Sequence, residues 1–391
     1  MKIMFSAGEA SGDTHAASVA KALKTQYPDV EMLGMGGAKM EAEGVKIVYN
    51  IDQLGIIGII EIVKALPKFF ALRDHLKAVM IEEKPDVLVC VDYPGFNMRL
   101  MKVAKALGIP VVYYIAPTIW IWHNSRGKEI AEYVDRVASI FPMEAEAYKK
   151  WNAPVTFVGN PLLDIVKPTM TKEEAMEYFG ASREAYRILL MPGSRAQEVA
   201  SLLDVILLAA KEVEQEGILP EGRTSFQFFL PRAHTIPREV LEEAVAKHGV
   251  DVKITEEHTY DVMQICDAAV AASGTATLET ALMGLPTILL YRVAPFTYYF
   301  AKVLVGIKTV GLPNIIMGRN VIPEVLQHEV TPDRVKQELI KLMTDRSYES
   351  KMRQDLQEVK HKLGEPGAVE RVAKLVAEVA NEHRLASRKD V

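Results

Sequence analysis

Two clusters of small polar residues in the second half of the chain have the make-up of phosphate-binding turns. MPGSR (191–195) directly follows the apolar run RILLM. At a helix start, Gly193 and Ser194 offer free backbone N–H groups, and Arg195 adds a guanidinium suited to bidentate contact with phosphate oxygens. ASGTATLET (272–280) follows the apolar run AAVAAS in the same way. Gly274 and Ala276 let a ligand approach the backbone, Ser273 and Thr275 supply hydroxyls, and Glu279 further along can accept both hydroxyls of a ribose. A capped turn with a surface arginine is the alternative for MPGSR, but two anion-binding helix starts in one domain point to a nucleoside diphosphate. GLPNIIMGR (311–319) adds Asn314, placed either to bond a ligand or to cap the next helix.

The first half carries a different chemistry. In FSAGEASGDTHAA (5–17), the spacing of Gly8 and Gly12 fits neither G-x-G-x-x-G nor G-x-x-x-x-G-K-[ST], and no lysine follows to reach a terminal phosphate. Ser11 or Asp13 is instead placed to cap a helix beginning near Thr14. In VDYPGFNMR (91–99), Asp92 ends an apolar run, where a carboxylate can take a proton from a hydroxyl; a Pro-Gly turn closed by its own aspartate is the alternative. In IAPTIWIWHNSR (115–126), Trp120 and Trp122 can stack on sugar rings, cover acyl chains or pack in the core. There is no D-x-D pair to hold a divalent ion on a diphosphate, and the nine histidines fall in no zinc-binding spacing. No metal and no cofactor are therefore expected, and phosphate charge falls to helix dipoles and Arg195.

Groups that end apolar runs need parallel strands to position them. KIMFSA (2–7), DVLVCV (86–91), VVYYI (111–115), RVASIF (136–141), RILLM (187–191), FQFFL (226–230), AAVAAS (268–273) and TILLY (287–291) alternate with amphipathic stretches such as 14–27 and 76–84. This repetition predicts an α/β protein of doubly wound parallel sheets, whose ligands bind outside the carboxyl ends of the strands. Pro161 and Pro168 and a polar helix near 159–185 mark a linker. The expected organisation is an α/β domain over 1–165, a second over 170–345 and C-terminal helices over 346–391, with a cleft between the two domains. The chain has 391 residues, 49% hydrophobic and 25% charged, with a net charge of −5. That balance leaves no basic field for nucleic acid. Two cysteines, no secretory signal and no run near the roughly 18 to 20 apolar residues of a membrane span predict a cytoplasmic location.

In order along the chain, GEASGD, DYPGFN, APTIWIW, PGSR, SGTATLE and LPN closely resemble the lipid-A-disaccharide synthase family. The resemblance runs over about residues 1–345 and implies a GT-B architecture of two Rossmann-like domains. It also implies metal-independent, inverting transfer of 2,3-diacylglucosamine from its UDP derivative to 2,3-diacylglucosamine 1-phosphate, giving a β-1,6-linked disaccharide phosphate and UDP. Carried over to this sequence, Gly193, Ser194, Arg195, Ser273, Gly274, Thr275, Ala276, Glu279 and Asn314 hold UDP. Gly8, Ser11, Asp86, Asn97 and Trp120 face the acceptor. Many relatives have an aspartate three places after Asp92, where this chain has Gly95, and a histidine where it has Asn160. Asp92 is then the first choice of base, with Glu9 and Asp86 behind it, and Arg195 stabilises the leaving group.

Acylated substrates require a bilayer-facing surface. LGIIGIIEIVKALPKFFALR (54–73) is the candidate: Leu66, Phe69, Phe70 and isoleucines surround a polar stripe of Glu61, Lys64 and Lys68. A buried helix over the first sheet is the alternative. The expected partners are the two lipid substrates and the inner face of the cytoplasmic membrane of a Gram-negative type bacterium, with a homodimer compatible with apolar surface on the last helices. The rival readings are a UDP-sugar 2-epimerase of the same architecture and a non-catalytic UDP-sugar-binding protein.

Overall fold

A computed structural model of the chain describes residues 1–54, 59–119, 125–293 and 309–387, with side chains for all of these except 53, 54, 59–66 and 387. The chain forms two units, Met1–Pro161 together with Gly364–Val391, and Leu162–Leu363.

In the first unit the apolar runs become a seven-stranded parallel sheet. Its strands are β1 (Lys2–Ala7), β2 (Glu31–Gly36), β3 (Lys46–Asn50), β4 (Val87–Val91), β5 (Val111–Tyr114), β6 (Arg136–Ser139) and β7 (Val155–Phe157), in the order β3-β2-β1-β4-β5-β6-β7. Both faces are buried, as the continuous hydrophobic runs require. Ile3, Phe5, Val87 and Val89 face one core beneath the helices Ala10–Gln26 and Ala368–Ser387. Met4, Leu88 and Cys90 face the other, covered by Leu72, Leu76 and Met80 of the helix Ile59–Glu83 and by Phe96, Leu100 and Met101 of Pro94–Ala106.

The second unit repeats the plan with β8 (Ala185–Met191), β9 (Ser225–Pro231), β10 (Val252–Thr255), β11 (Ala268–Ala272), β12 (Thr287–Tyr291) and β13 (Glu324–Leu326), in the order β10-β9-β8-β11-β12-β13, again parallel. Strand order reverses between β1 and β4 in one sheet and between β8 and β11 in the other. A crevice opens at such a reversal because the crossover connections leave toward opposite faces.

Three details differ from the sequence reading. The first helix begins at Ala10, with Glu9 as its N-cap, so Asp13 lies inside it. Its buried carboxylate caps a different helix, Ala38–Ala42, accepting hydrogen bonds from the backbone N–H groups of Gly37 (2.7 Å), Lys39 (3.1 Å) and Met40 (3.2 Å). The segment 346–391 is not one body: Arg346–Lys362 belongs to the second unit and Ala368–Ser387 to the first. The chain rejoins the first unit at Gly364, where φ is +92° and an added Cβ would stand 3.3 Å from Gly159 Cα.

Candidate active site

The carboxyl ends of β1 and β4 bring together the two acidic motifs of the first unit. Asp92 and Tyr93 both adopt left-handed backbone, each with φ near +49°. Such conformations cost non-glycine residues roughly 1–3 kcal/mol each and persist only where neighbours enforce them. Here Asn97 and Tyr113 do so. The Asn97 side chain donates from Nδ2 to the backbone oxygens of Asp92 (2.8 Å) and Ser6 (3.1 Å), and its Oδ1 accepts from Ser6 Oγ (2.6 Å). Tyr113 donates its hydroxyl proton to the same Asp92 carbonyl at 3.0 Å. The turn then enters the helix Pro94–Ala106 with proline in its first turn, where a missing N–H is not needed.

Asn97 therefore does not face an acceptor. It is completely buried and its amide is spent holding Asp92 in place. Asp86 is corrected more strongly. It precedes β4, at the opposite end of the sheet, where its carboxylate accepts from Lys2 N at 2.7 Å. Asn160 is buried and donates to the Ile140 carbonyl. Glu9 and Ser11 are exposed at the head of the first helix, and Gly8 is buried beside Tyr93. Gly95 is exposed, with space around it for a side chain. Trp120 lies outside the described residues.

Burial pushes the carboxyl of Asp92 above its ordinary value, and Glu9, though largely exposed, is raised by partial desolvation and then by the Asp92 charge. Both are thereby better bases than free carboxylates. Two neighbouring groups escaped the sequence reading. His15, one helical turn past Ser11, is pulled below its ordinary value by burial, with the Asp92 charge opposing. Glu144, in the first turn of the helix after β6, is buried, accepts from Ser139 Oγ at 3.1 Å and is pushed up to about 7 by burial. A histidine four residues after Ser11 was a legible signal; nothing in PMEAEAY announced a buried acid.

In the second unit the loops after β8 and β11 line a cavity of about 630 Å³. Gly193, Ser194, Arg195, Ser273, Gly274, Thr275, Ala276 and Glu279 all border it. Gly193 (φ +115°) and Gly274 (φ +148°) occupy backbone conformations that side chains rarely tolerate. They head the helices Ala196–Glu216 and Thr275–Leu282, whose N-termini favour an anion. Burial raises the Glu279 carboxyl, and Tyr260 nearby is pushed up to about 12 by burial and then by that acid. Arg195 is strongly exposed, with 82% of its side chain open to solvent.

Asn314 is not among them. It is fully buried, donating to Glu324 Oε1 (2.7 Å) and the Ile322 carbonyl (3.0 Å) and accepting from the backbone N–H groups of Val321 (2.7 Å) and Ile322 (2.9 Å). With its donors and acceptor satisfied, it shapes the loop and has nothing to offer a ligand. Glu324 completes that loop by accepting from Val310 N and Gly311 N, each at 3.0 Å. Val310 and Leu312, on either side of Gly311, line the cavity.

Residues 3–379 match the family model described as Lipid-A-disaccharide synthetase. The chain belongs to this family. It is 39% identical over 378 residues to the lipid-A-disaccharide synthase of Geobacter sulfurreducens, with 97% of each chain covered. The UDP-GlcNAc 2-epimerase of Neisseria meningitidis bound to UDP-GlcNAc is similar in structure, with a TM-score of 0.65, 14% identity and coverage of 97% of this chain and 100% of that one. MurG from Acinetobacter baumannii gives a TM-score of 0.59 at 17% identity, covering 96% and 99%. At these identities the structural likenesses establish the two-unit GT-B fold and nothing finer. Family membership makes the chain a glycosyltransferase of lipid A biosynthesis acting on a UDP-sugar and a lipid acceptor, and the epimerase reading is not favoured.

Proposed function

We propose that this family member transfers 2,3-diacylglucosamine from its UDP derivative to O6 of 2,3-diacylglucosamine 1-phosphate, with inversion. Asp92 removes the proton of the attacking hydroxyl, and the departing UDP is stabilised by Arg195 and the two helix N-termini, with Glu279 holding the ribose. The observation that carries this reading is the pairing of chemistries at the two strand reversals: raised carboxylates after β1 and β4, phosphate and ribose groups after β8 and β11. Electrostatic stabilisation of the leaving group is the larger contribution in sites of this kind. The test is UDP release from the donor with and without lipid acceptor. Asp92→Asn should abolish acceptor-dependent release while leaving UDP affinity unchanged; full activity in that variant removes Asp92 from the base role. Activity should persist in a chelator.

The same reading calls for a bilayer contact. None of the described helices is long and apolar enough to cross a membrane. On the helix Ile59–Glu83, Phe69 turns inward against Tyr93 and Phe96, whereas Phe70 is 47% exposed. Phe70 borders a groove with Arg73, Lys77, Arg99 and Lys102, a combination of apolar anchor and cations suited to an anionic lipid surface. Peripheral attachment to the inner face of the cytoplasmic membrane follows. Ile57 of the same segment lies outside the described residues.

A further inference from the structure

The amides assigned to the diphosphate already hold an anion, and it is one of the protein's own. Glu198, in the first turn of the helix Ala196–Glu216, folds back over the PGSR loop. Its Oε2 lies 3.3 Å from both Ser194 N and Arg195 N, and its Oε1 lies 2.9 Å from Arg195 Nη1. A Cβ on Gly193 would stand 2.6 Å from the same Oε2, so the missing side chain is what lets a charged oxygen reach this backbone. A glutamate three places into a helix commonly caps the first N–H, with serine or threonine as its reciprocal partner. Here the partner is an arginine, and the carboxylate gathers two amides and a guanidinium that all border the cavity. The ionisable residues on the cavity wall, Arg195 and Arg232 against Glu198 and Glu279, cancel in formal charge. A diphosphate entering there finds no surplus of side-chain positive charge on the wall until Glu198 gives way.

We propose that Glu198 is an internal competitor for the diphosphate. It holds the Ser194 and Arg195 amides and the Arg195 side chain while the site is empty, swings aside when a nucleoside diphosphate binds, and returns to expel the product. This inference rests on the reading of PGSR as the diphosphate site. It makes Glu198 a positioning residue whose charge weakens UDP binding and hastens UDP release. Two like charges cannot share one set of donors at hydrogen-bond distance, so the exchange is obligatory. A nucleoside without phosphates has no need of these donors and leaves Glu198 where it is.

The discriminating experiment measures UDP and uridine affinity by calorimetry or competition in the wild-type chain and in Glu198→Gln, Glu198→Ala and Arg195→Ala. Removing the charge should tighten UDP by about tenfold, about 1.4 kcal/mol, and slow its dissociation, with uridine affinity unchanged. A purely structural cap would instead leave UDP no tighter, or weaken UDP and uridine together, and either result overturns the proposal. Glu198→Ala guards against a glutamine that keeps the cap in place, since it removes charge and acceptor at once. Arg195→Ala separates the two levels. If it weakens UDP while both Glu198 variants leave UDP unchanged, the competitor role alone falls. If UDP affinity ignores Arg195 altogether, the diphosphate site lies elsewhere and the proposal falls with it.

Discussion

The ring of Tyr93 occupies the space a side chain on residue 8 would need: a Cβ there would stand 2.0 Å from Tyr93 Cδ1. Gly8 and Tyr93 sit at the ends of adjacent strands, and their contact fixes the residue next to Asp92. Gly8→Ala should therefore displace Tyr93 and cost roughly 1–3 kcal/mol of stability by overpacking. Turnover should fall further than the stability loss alone explains, because the displacement is passed to Asp92. Thermal denaturation and UDP release measured on the same preparation check both.

Asn97→Ala should cost about 1–3 kcal/mol in urea denaturation, because it strips a partner from Ser6 and from the Asp92 carbonyl in a buried setting. The same variant should lower kcat with UDP affinity unchanged, since the cavity of the second unit does not involve Asn97. A loss of UDP affinity would show that the two sites are coupled.

Arg195→Ala should lower turnover on the order of a hundredfold if the guanidinium stabilises the leaving diphosphate. Its high exposure means that the melting temperature should barely move. Arg195→Lys should restore only part of the rate, because an ammonium lacks the bidentate fork.

The buried acids predict two pH dependences of different kinds. Asp92 must be ionised to act as a base and its pKa is raised, so the acid limb of the rate profile should lie above the ordinary carboxylate range near 3.9. Glu144 reads out in stability. Its folded value of about 7 exceeds the ordinary 4.5, so the folded state prefers the protonated acid. That contribution is fully present below about 4.5 and is lost as pH rises through about 7. Glu144→Gln should remove the loss and gain up to about 3 kcal/mol at pH 8 relative to pH 5 in urea titrations.

Phe70→Glu should abolish flotation with anionic vesicles while leaving the melting temperature and the turnover of detergent-dispersed substrates unchanged. Retained flotation would move the membrane contact away from the Phe70 groove.

That Gly193, Ser194, Arg195, Ser273, Gly274, Thr275, Ala276 and Glu279 would share one cavity was legible because both motifs directly follow apolar strand runs, whose carboxyl ends lie together in a parallel sheet. Local reading misled at Asn314 and Asn97, where a polar residue in a loop looked available. Only the folded chain shows that Glu324 and Val321 consume the first, and Ser6 and Asp92 the second. Asp86 was misread because direction along a strand decides which end faces the crevice, and Asp86 precedes β4 while Asp92 follows it. The strands β2, β3, β7, β10 and β13 went unread: glycines interrupt EMLGMG, a lysine begins KIVYN or splits VKIT, and β7 and β13 have only three residues each. Glu198 was invisible for another reason: its partners are ordinary capping donors, and only the cavity around them gives the contact a second meaning.

The return of the helix Ala368–Ser387 has a consequence for how the chain is made. Its residues Val372, Ala373, Val376 and Ala380 are completely buried in the same core as Val19, Leu23 and Phe5. Those early residues leave the ribosome some 350 positions before their cover does, a gap bridged by the whole second unit. Domains that are continuous in sequence fold as they emerge; this first unit must wait with an apolar face open until residues 368–387 have been made. The second unit is complete in sequence first, and a nascent chain stalled or trimmed before residue 368 leaves the first unit unfinished and aggregation-prone.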